Sequence, residues 1–123
     1  LSKKDQNRLN FLNNFYSQKI TNKTFSERNL NKIFYIKGIE ALVDIIYFKI
    51  FKSSKVDSKL LKIIETFKEK KRPIMPIKAN ILIEKYNIPE SKELGSKLKK
   101  IEEVWVDNDF QISEKEVQKI VNN

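Results

Sequence analysis

The segment "SKELGSKLKKIEEVW", residues 91–105, has the clearest periodicity in the chain. Its large apolar side chains share a helical spacing of four, three and four residues: Leu94, Leu98, Ile101 and Trp105. Because an α-helix turns once in about 3.6 residues, this spacing places them all on one face. We expect the helix to begin at about Ser91. The segment therefore predicts a long amphipathic helix.

Helical periodicity continues on both sides, and no segment alternates apolar and polar residues for long enough to indicate a strand. Ser2 and Asp5 predict the capped start of a first helix. A second helix begins near Thr24 or Ser26 and ends at Gly38. The segment "IEALVDIIYFKIF", residues 39–51, is the most apolar, so we expect it to form a central helix.

The second half of the chain supplies further start and stop signals. The polar turn "SSKVDS", residues 53–58, offers a cap for a helix that ends before Arg72-Pro73, since a residue before proline avoids the α region. A short helix follows around residues 81–83, and Ser113 with Glu116 predicts a capping box for a last helix. The chain is thus expected to be all-α, with about seven short helices in a single irregular domain. Its parts would be a body (about 1–72), a proline-flanked connector (73–77) and a tail (about 78–123).

The charge is strongly positive and unevenly distributed. The 123 residues have a net charge of +9, divided as +4 in residues 1–48, +9 in residues 49–100 and −4 in residues 101–123. A basic middle segment favours a polyanionic partner, most often a nucleic acid. The same lysine excess also accompanies the Ile- and Asn-rich composition that AT-rich genomes impose on their proteins.

The sequence lacks the residues that several classes of catalysis and metal binding require. The chain has no cysteine and no histidine, which removes thiol chemistry and His-based acid–base catalysis. The acidic pair Asp107 and Asp109 has no third carboxylate nearby, so a helix-ending turn is a better interpretation than a metal site. We find no nucleophile–base pair, signal peptide or membrane-spanning run, and expect a cytoplasmic protein without catalytic residues, cofactor or metal.

Two features allow both a structural and a functional interpretation. Gly95 interrupts a predicted helix at a cost of about 1 kcal/mol against Ala, which either a close helix contact or the close approach of an RNA backbone would explain. The run "KEKKRP", residues 68–73, suits a helix C-terminus, where the dipole favours cations, but it could also contact phosphates. Aromatic side chains at helical spacing are expected to be core rather than base-stacking platforms: Phe34, Tyr35, Tyr47, Phe48 and Phe51.

The order of several segments resembles the C-terminal body and tail of the bacterial tRNA nucleotidyltransferase and poly(A) polymerase family, the class II CCA-adding type. The segments are "LSKKDQNRL", "FYIKGIEALVD", "PIKANIL", "NIPESKELGSKL" and "VWVDNDF". The chain departs from the family pattern at a few positions, where Arg, Gly, Asp and Gly-Pro would be usual: Ile36, Ala79, Ile81 and Ser91-Lys92.

This resemblance implies a module that holds tRNA and does not catalyse. In the family, nucleotidyl transfer and its Mg²⁺ belong to an N-terminal head and neck that this sequence does not contain. The missing initiator methionine would fit a split or truncated ancestral chain. The residues that we expect to bind RNA are Lys71, Arg72, Lys78, Lys92, Gly95, Lys97 and Lys100.

Two alternatives to the tRNA-binding module stay open at this point. The chain could be an interaction fragment that docks a separate catalytic head protein, with Leu9, Leu12 and Phe15 as the exposed apolar edge of the first helix. It could also be a non-functional remnant of the parent enzyme. Neither a membrane nor DNA is expected as a partner.

Overall fold

A computed structural model describes residues 2–53 and 55–123, and every regular element in these ranges is an α-helix. The helices are α1 (Lys3–Ser17), α2 (Glu27–Lys37), α3 (Ile39–Lys52), α4 (Ser58–Glu69), α5 (Ala79–Tyr86), α6 (Lys92–Asp107) and α7 (Glu114–Val121). The predicted all-α class with about seven helices is therefore confirmed. Leu1 and Ser54 lie outside the described ranges. Leu1 belongs to the segment "LSKKDQNRL", and Ser54 belongs to the turn predicted at residues 53–58.

Side-chain caps begin most of these helices at the residues that the sequence predicts. The hydroxyls of Ser2, Ser26 and Ser91 each accept the backbone N–H three residues later, and the Asp57 carboxylate accepts that of Lys59. Ser113 forms the complete capping box with Glu116. Each cap satisfies one of the N–H groups that a helix start leaves without an intrahelical partner.

Gly38 ends α2 and begins α3 within one residue. Its φ of 87° and ψ of 180° form a backbone conformation that is essentially restricted to glycine. The predicted stop at Gly38 is confirmed, although the residue is not in the αL conformation that a helix stop commonly adopts.

Contacts divide the chain into two compact units, unit 1 (residues 1–72) and unit 2 (residues 73–123). Within unit 1, α3 packs against α1, α2 and α4, as expected for the most apolar helix. The unit has its own core, whose buried members are Leu30, Phe34, Leu42, Ile46, Leu60, Ile64 and Phe67. Burial of such side chains contributes on the order of 1.5–3 kcal/mol each, which stabilises the helices that carry them.

Polar contacts also join α1 to α3. The Arg8 guanidinium donates to both carboxylate oxygens of Asp44, at 2.7 and 2.9 Å, and this pairing raises the pKa of Arg8. The Tyr16 hydroxyl donates to the Ile45 carbonyl at 2.6 Å, and burial raises the pKa of Tyr16 to about 12. These contacts set the position of α1 along α3.

Unit 2 is built around α6, which packs against α5 and α7. Its buried core comprises Leu82, Ile88, Leu94, Ile101, Val117 and Val121. The stripe predicted on α6 is confirmed, since Leu94, Ile101 and Trp105 are buried and Leu98 is half-buried. Lys85 and Glu114 form an ion pair between α5 and α7, which raises the pKa of Lys85 and lowers that of Glu114.

Two predictions about exposed and buried apolar residues are wrong. Phe15 is buried, 7% exposed, because its ring packs edge-on against Tyr16 and Phe25, so it cannot form an exposed edge with Leu9. Tyr47 and Phe51 are not core residues: they lie on the outer face of α3 and are 48% and 84% exposed. Helical spacing identifies a shared face but does not say whether another element covers it.

None of the helices in the described ranges is both long and apolar enough to cross a bilayer.

Candidate nucleic-acid interface

Gly95 lies on the exposed surface of α6, in the fourth helical position. Its N–H donates to the Ser91 carbonyl at 3.3 Å, and the Ser91 hydroxyl accepts the Leu94 N–H at 3.4 Å, so the first turn is regular. Apart from its two chain neighbours and the backbone of its own helix, a Cβ built on Gly95 would have no described atom within 4 Å. The interpretation that a neighbouring helix requires a glycine here is therefore wrong. The fold leaves the backbone of this turn open to solvent.

Lysines lie on the same face of α6 as this open backbone. Lys92 is three residues before Gly95 and Lys99 four residues after it, a spacing that puts all three on one helix face. Both lysines are exposed. The predicted site residue Lys92 is thus accessible, and Lys99 belongs with it.

Lys99 also connects this face to the connector before α5. Lys78 and Lys99 line the same cavity of about 400 Å³, together with apolar groups such as Met75 and Leu98. Lys78 is the residue before α5 and is exposed. Two chain segments about 20 residues apart in sequence therefore contribute lysine side chains to one depression of unit 2. Glu102 lies on its wall as well, so the cavity has both charges.

Lys97 has a different environment from the other lysines of α6. Its side chain is only 11% exposed. The ammonium donates to the carbonyl of Val121 and to that of Asn123 at 3.2 Å, and it lies 3.6 Å from Glu93. It thus satisfies carbonyls at the end of α7, where the helix dipole also favours a cation. This geometry gives Lys97 a structural role in unit 2, and an RNA contact by it stays a prediction.

Arg72, in unit 1, is also used by the fold. Its guanidinium donates to the Tyr35 carbonyl at 2.6 and 2.9 Å and to the Ile36 carbonyl at 3.2 Å. These are carbonyls of the last turn of α2, so Arg72 caps that helix and lies beside Gly38. The preceding residue, Lys71, is exposed and follows the end of α4 at Glu69. Arg72 therefore has a structural role, but at the end of α2 and not at the end of the preceding helix α4, where the run at residues 68–73 is expected to act. Lys71 stays available.

Lys100 is exposed on α6, one residue beyond the face that carries Lys92, Gly95 and Lys99. Sequence reasoning did not select Lys99 as a site residue. Its spacing from Gly95 was a usable signal, but its proximity to Lys78 depends on how the connector packs on α6.

The acidic turn after α6 has the conformation of a helix end. Asp107 is the last helical residue, and Asp109 and Phe110 both have positive φ values, 54° and 61°. The Phe110 ring packs edge-on against Trp105, with ring centres 5.1 Å apart. Within the described residues, no three Asp or Glu side chains come together as a metal site would require.

Comparisons with protein-family models, with curated proteins and with solved structures find no match to this chain.

Proposed function

We propose that this chain is a non-catalytic tRNA-binding module of a split or truncated CCA-adding tRNA nucleotidyltransferase or poly(A) polymerase, working in the cytoplasm. The exposed basic face of unit 2, with the open backbone at Gly95, is the observation that carries the proposal. The term basic face includes Lys78, Lys92, Gly95 and Lys99, together with Lys100, which is exposed beside them on α6. Five sequence segments resemble the body and tail of that family in the same order. This resemblance is the reason for proposing tRNA as the RNA that is bound.

The chemistry of this face suits phosphate contacts better than base recognition. Lysine ammoniums are compact, strongly hydrated charges that pair with phosphate oxygens without reading sequence. An exposed glycine lets a nucleic-acid backbone come closer to α6 than any other residue would. Binding of this type follows RNA shape and weakens with salt, because each phosphate contact releases a counterion.

Catalysis is assigned to a separate partner under this proposal. Nucleotidyl transfer needs carboxylates that hold Mg²⁺, and these would be supplied by a separate head protein. Nucleotide incorporation by this chain alone, surviving rigorous repurification, would contradict the assignment.

The test is direct binding of a full-length tRNA transcript, followed by fluorescence anisotropy, with random single-stranded RNA as competitor. We expect tight binding that prefers tRNA and falls log-linearly with salt. Lys92→Glu and Lys99→Glu should each weaken binding about three- to tenfold and reduce the salt slope by about one. Lys97 is avoided in this test because its replacement would also disturb α7.

Lys115→Glu is the matched control, since Lys115 is exposed on α7, is not one of the residues of the basic face, and undergoes the same charge change. If the control weakened tRNA binding as much as Lys92→Glu, net charge rather than this face would determine affinity. Weak binding without preference for tRNA would mean that the lysine excess reflects the overall amino-acid composition. It would favour the interpretation of the chain as a non-functional remnant.

A second candidate function is docking of a separate catalytic head protein by this chain. The observation that favours it is the exposed pair Tyr47 and Phe51, one helical turn apart on α3, followed by Val56, which is 72% exposed. This pair replaces the predicted edge at Leu9, Leu12 and Phe15. Co-purification with a nucleotidyltransferase head that is lost in Phe51→Ser would support docking.

A further inference from the structure

A groove of about 410 Å³ lies between α2 and α4 in unit 1, and none of its lining residues belongs to the basic face described above. Its floor is apolar and is formed by four side chains: Phe25, Leu30, Ile63 and Phe67. Leu30 and Phe67 are members of the unit 1 core, so the floor is anchored in packed structure. The groove is therefore a fixed feature of the fold, and its volume is within the range of ligand sites.

The α4 side of the groove is positively charged along its whole length. Lys59, Lys62, Thr66 and Lys70 line it at spacings of three, four and four residues, which is one stripe along the helix. At 1.5 Å per residue the stripe is about 16 Å long. Lys59 and Lys62 have no acidic side chain within ion-pair distance in the described parts of the chain, whereas Lys70 donates to Asn31. The single acid of the lining, Glu27, belongs to α2.

We propose that this groove binds an acidic amphipathic helix of a partner protein. An apolar floor bordered by a stripe of lysines complements a helix with apolar residues at i, i+3/i+4 and i+7 and carboxylates along one flank. Three helical turns span the length of the stripe. The proposal is independent of RNA binding, because none of the five residues of the basic face lines the groove.

The aromatic floor is poorly suited to stacking nucleic-acid bases. The Phe25 ring already has the Lys49 ammonium 3.9 Å from its centre, and Phe67 has that of Lys70 at 5.1 Å and the edge-on ring of Phe34 at 5.3 Å. Groups that could read a base edge are also scarce, since the Thr66 hydroxyl donates to the Lys62 carbonyl. An RNA would therefore find phosphate contacts here but no platform for its bases.

A second copy of this chain does not offer the required helix. The helix α7 has an apolar face, but it carries two Glu and two Lys, and Val117 and Val121 on that face are 3% and 8% exposed in the unit 2 core. The helix would have to leave that core before it could enter a groove. A separate protein is the occupant that the charges and the packing favour.

The experiment uses a fluorescein-labelled synthetic helix with Leu at i, i+4 and i+7 and Glu on one flank, and a scrambled peptide of equal charge. Binding is followed by anisotropy and by ¹⁵N–¹H NMR of the full chain. We expect saturable shifts confined to residues 25–37 and 58–70, and binding at least about tenfold tighter than for the scrambled peptide. Lys59→Glu/Lys62→Glu should weaken binding about tenfold, because reversing two charges turns attraction into repulsion.

Two further variants separate the groove from general charge and from folding. Lys68→Glu changes an exposed lysine of α4 outside the groove and should retain binding within about twofold. Thr66→Trp fills the groove from its exposed edge without removing a core side chain and should abolish binding while the helical circular dichroism is unchanged.

Three outcomes would overturn the proposal. They are shifts outside residues 25–37 and 58–70, equal binding of the scrambled peptide, and an RNA oligomer that shifts the groove residues and displaces the helix.

Discussion

Replacing Gly95 with alanine should make the protein more stable. Gly95 is helical, has a regular hydrogen bond to Ser91 and presents open space where the methyl group would lie. It has none of the conformational need that Gly38 shows with its φ of 87°. Glycine in a helix interior costs about 0.8–1.0 kcal/mol against alanine, chiefly through the backbone entropy that folding removes.

The expected gain is about 0.5–1 kcal/mol, because Gly95 is close to the helix start, where part of the propensity difference is lost. For a chain of this size, that corresponds to a Tm about 2–4 °C higher, and to a higher urea midpoint at unchanged slope. Ser96→Gly is the matched control at the next exposed position of α6, and it should lower stability by about 0.5 kcal/mol.

Unchanged or reduced stability in Gly95→Ala, with Ser96→Gly behaving as expected, would refute this reasoning. It would mean that something contacts residue 95 or distorts its backbone. The same variant also tests the proposed function, because a methyl group would separate an RNA backbone from α6. Higher stability together with weaker tRNA binding would show that the glycine serves a ligand at the expense of the fold.

Three other variants test the roles of single contacts. Gly38→Ala should destabilise unit 1 by about 1–3 kcal/mol by chemical denaturation, since alanine is strained at φ 87°, and a neutral result would contradict the conformation of this link. Lys97→Met should lower the free energy of unfolding by about 1–2 kcal/mol in chemical denaturation, because the hydrogen bonds to the carbonyls at the end of α7 are lost. Lys100→Met, at an exposed position, should change it by less than about 0.5 kcal/mol. Tyr16→Phe removes a hydroxyl whose pKa is raised from 10.0 to about 12, so its contribution should be complete below pH 10.0 and disappear as the pH rises towards 12. If the difference between wild type and Tyr16→Phe stayed constant over that pH range, the partial burial of the Tyr16 hydroxyl would not raise its pKa as stated.

Local features of the fold could be predicted from the sequence because their partners are within one helical turn. Ser113 and Glu116 satisfy each other's backbone N–H groups three residues apart, whatever else the chain does. The stop at Gly38 has the same local origin, since few other residues adopt its backbone angles. The apolar stripe of α6 likewise follows from periodicity alone.

The candidate site could be predicted only in part. The sequence identified Gly95 and its surrounding lysines as unusual, but it offered helix packing as one explanation, which the open space around the residue contradicts. It treated Lys92 and Lys97 as equivalent, and it did not include Lys99 among the residues expected to bind RNA. The sequence gives the number of cationic side chains in a segment, but it does not show which groups each of them contacts in the folded chain.

The sequence by itself determined the helices, their caps and the breaks between them, since each depends on residues a few positions apart. Only the tertiary structure decided which side chains stay free. The Lys97 ammonium reaches a carbonyl 24 residues away, and Arg72 one that is 37 residues away. Phe51, in contrast, receives no covering element and stays 84% exposed. Such outcomes depend on which helix end lies beside which side chain, and this is set by how the whole chain packs.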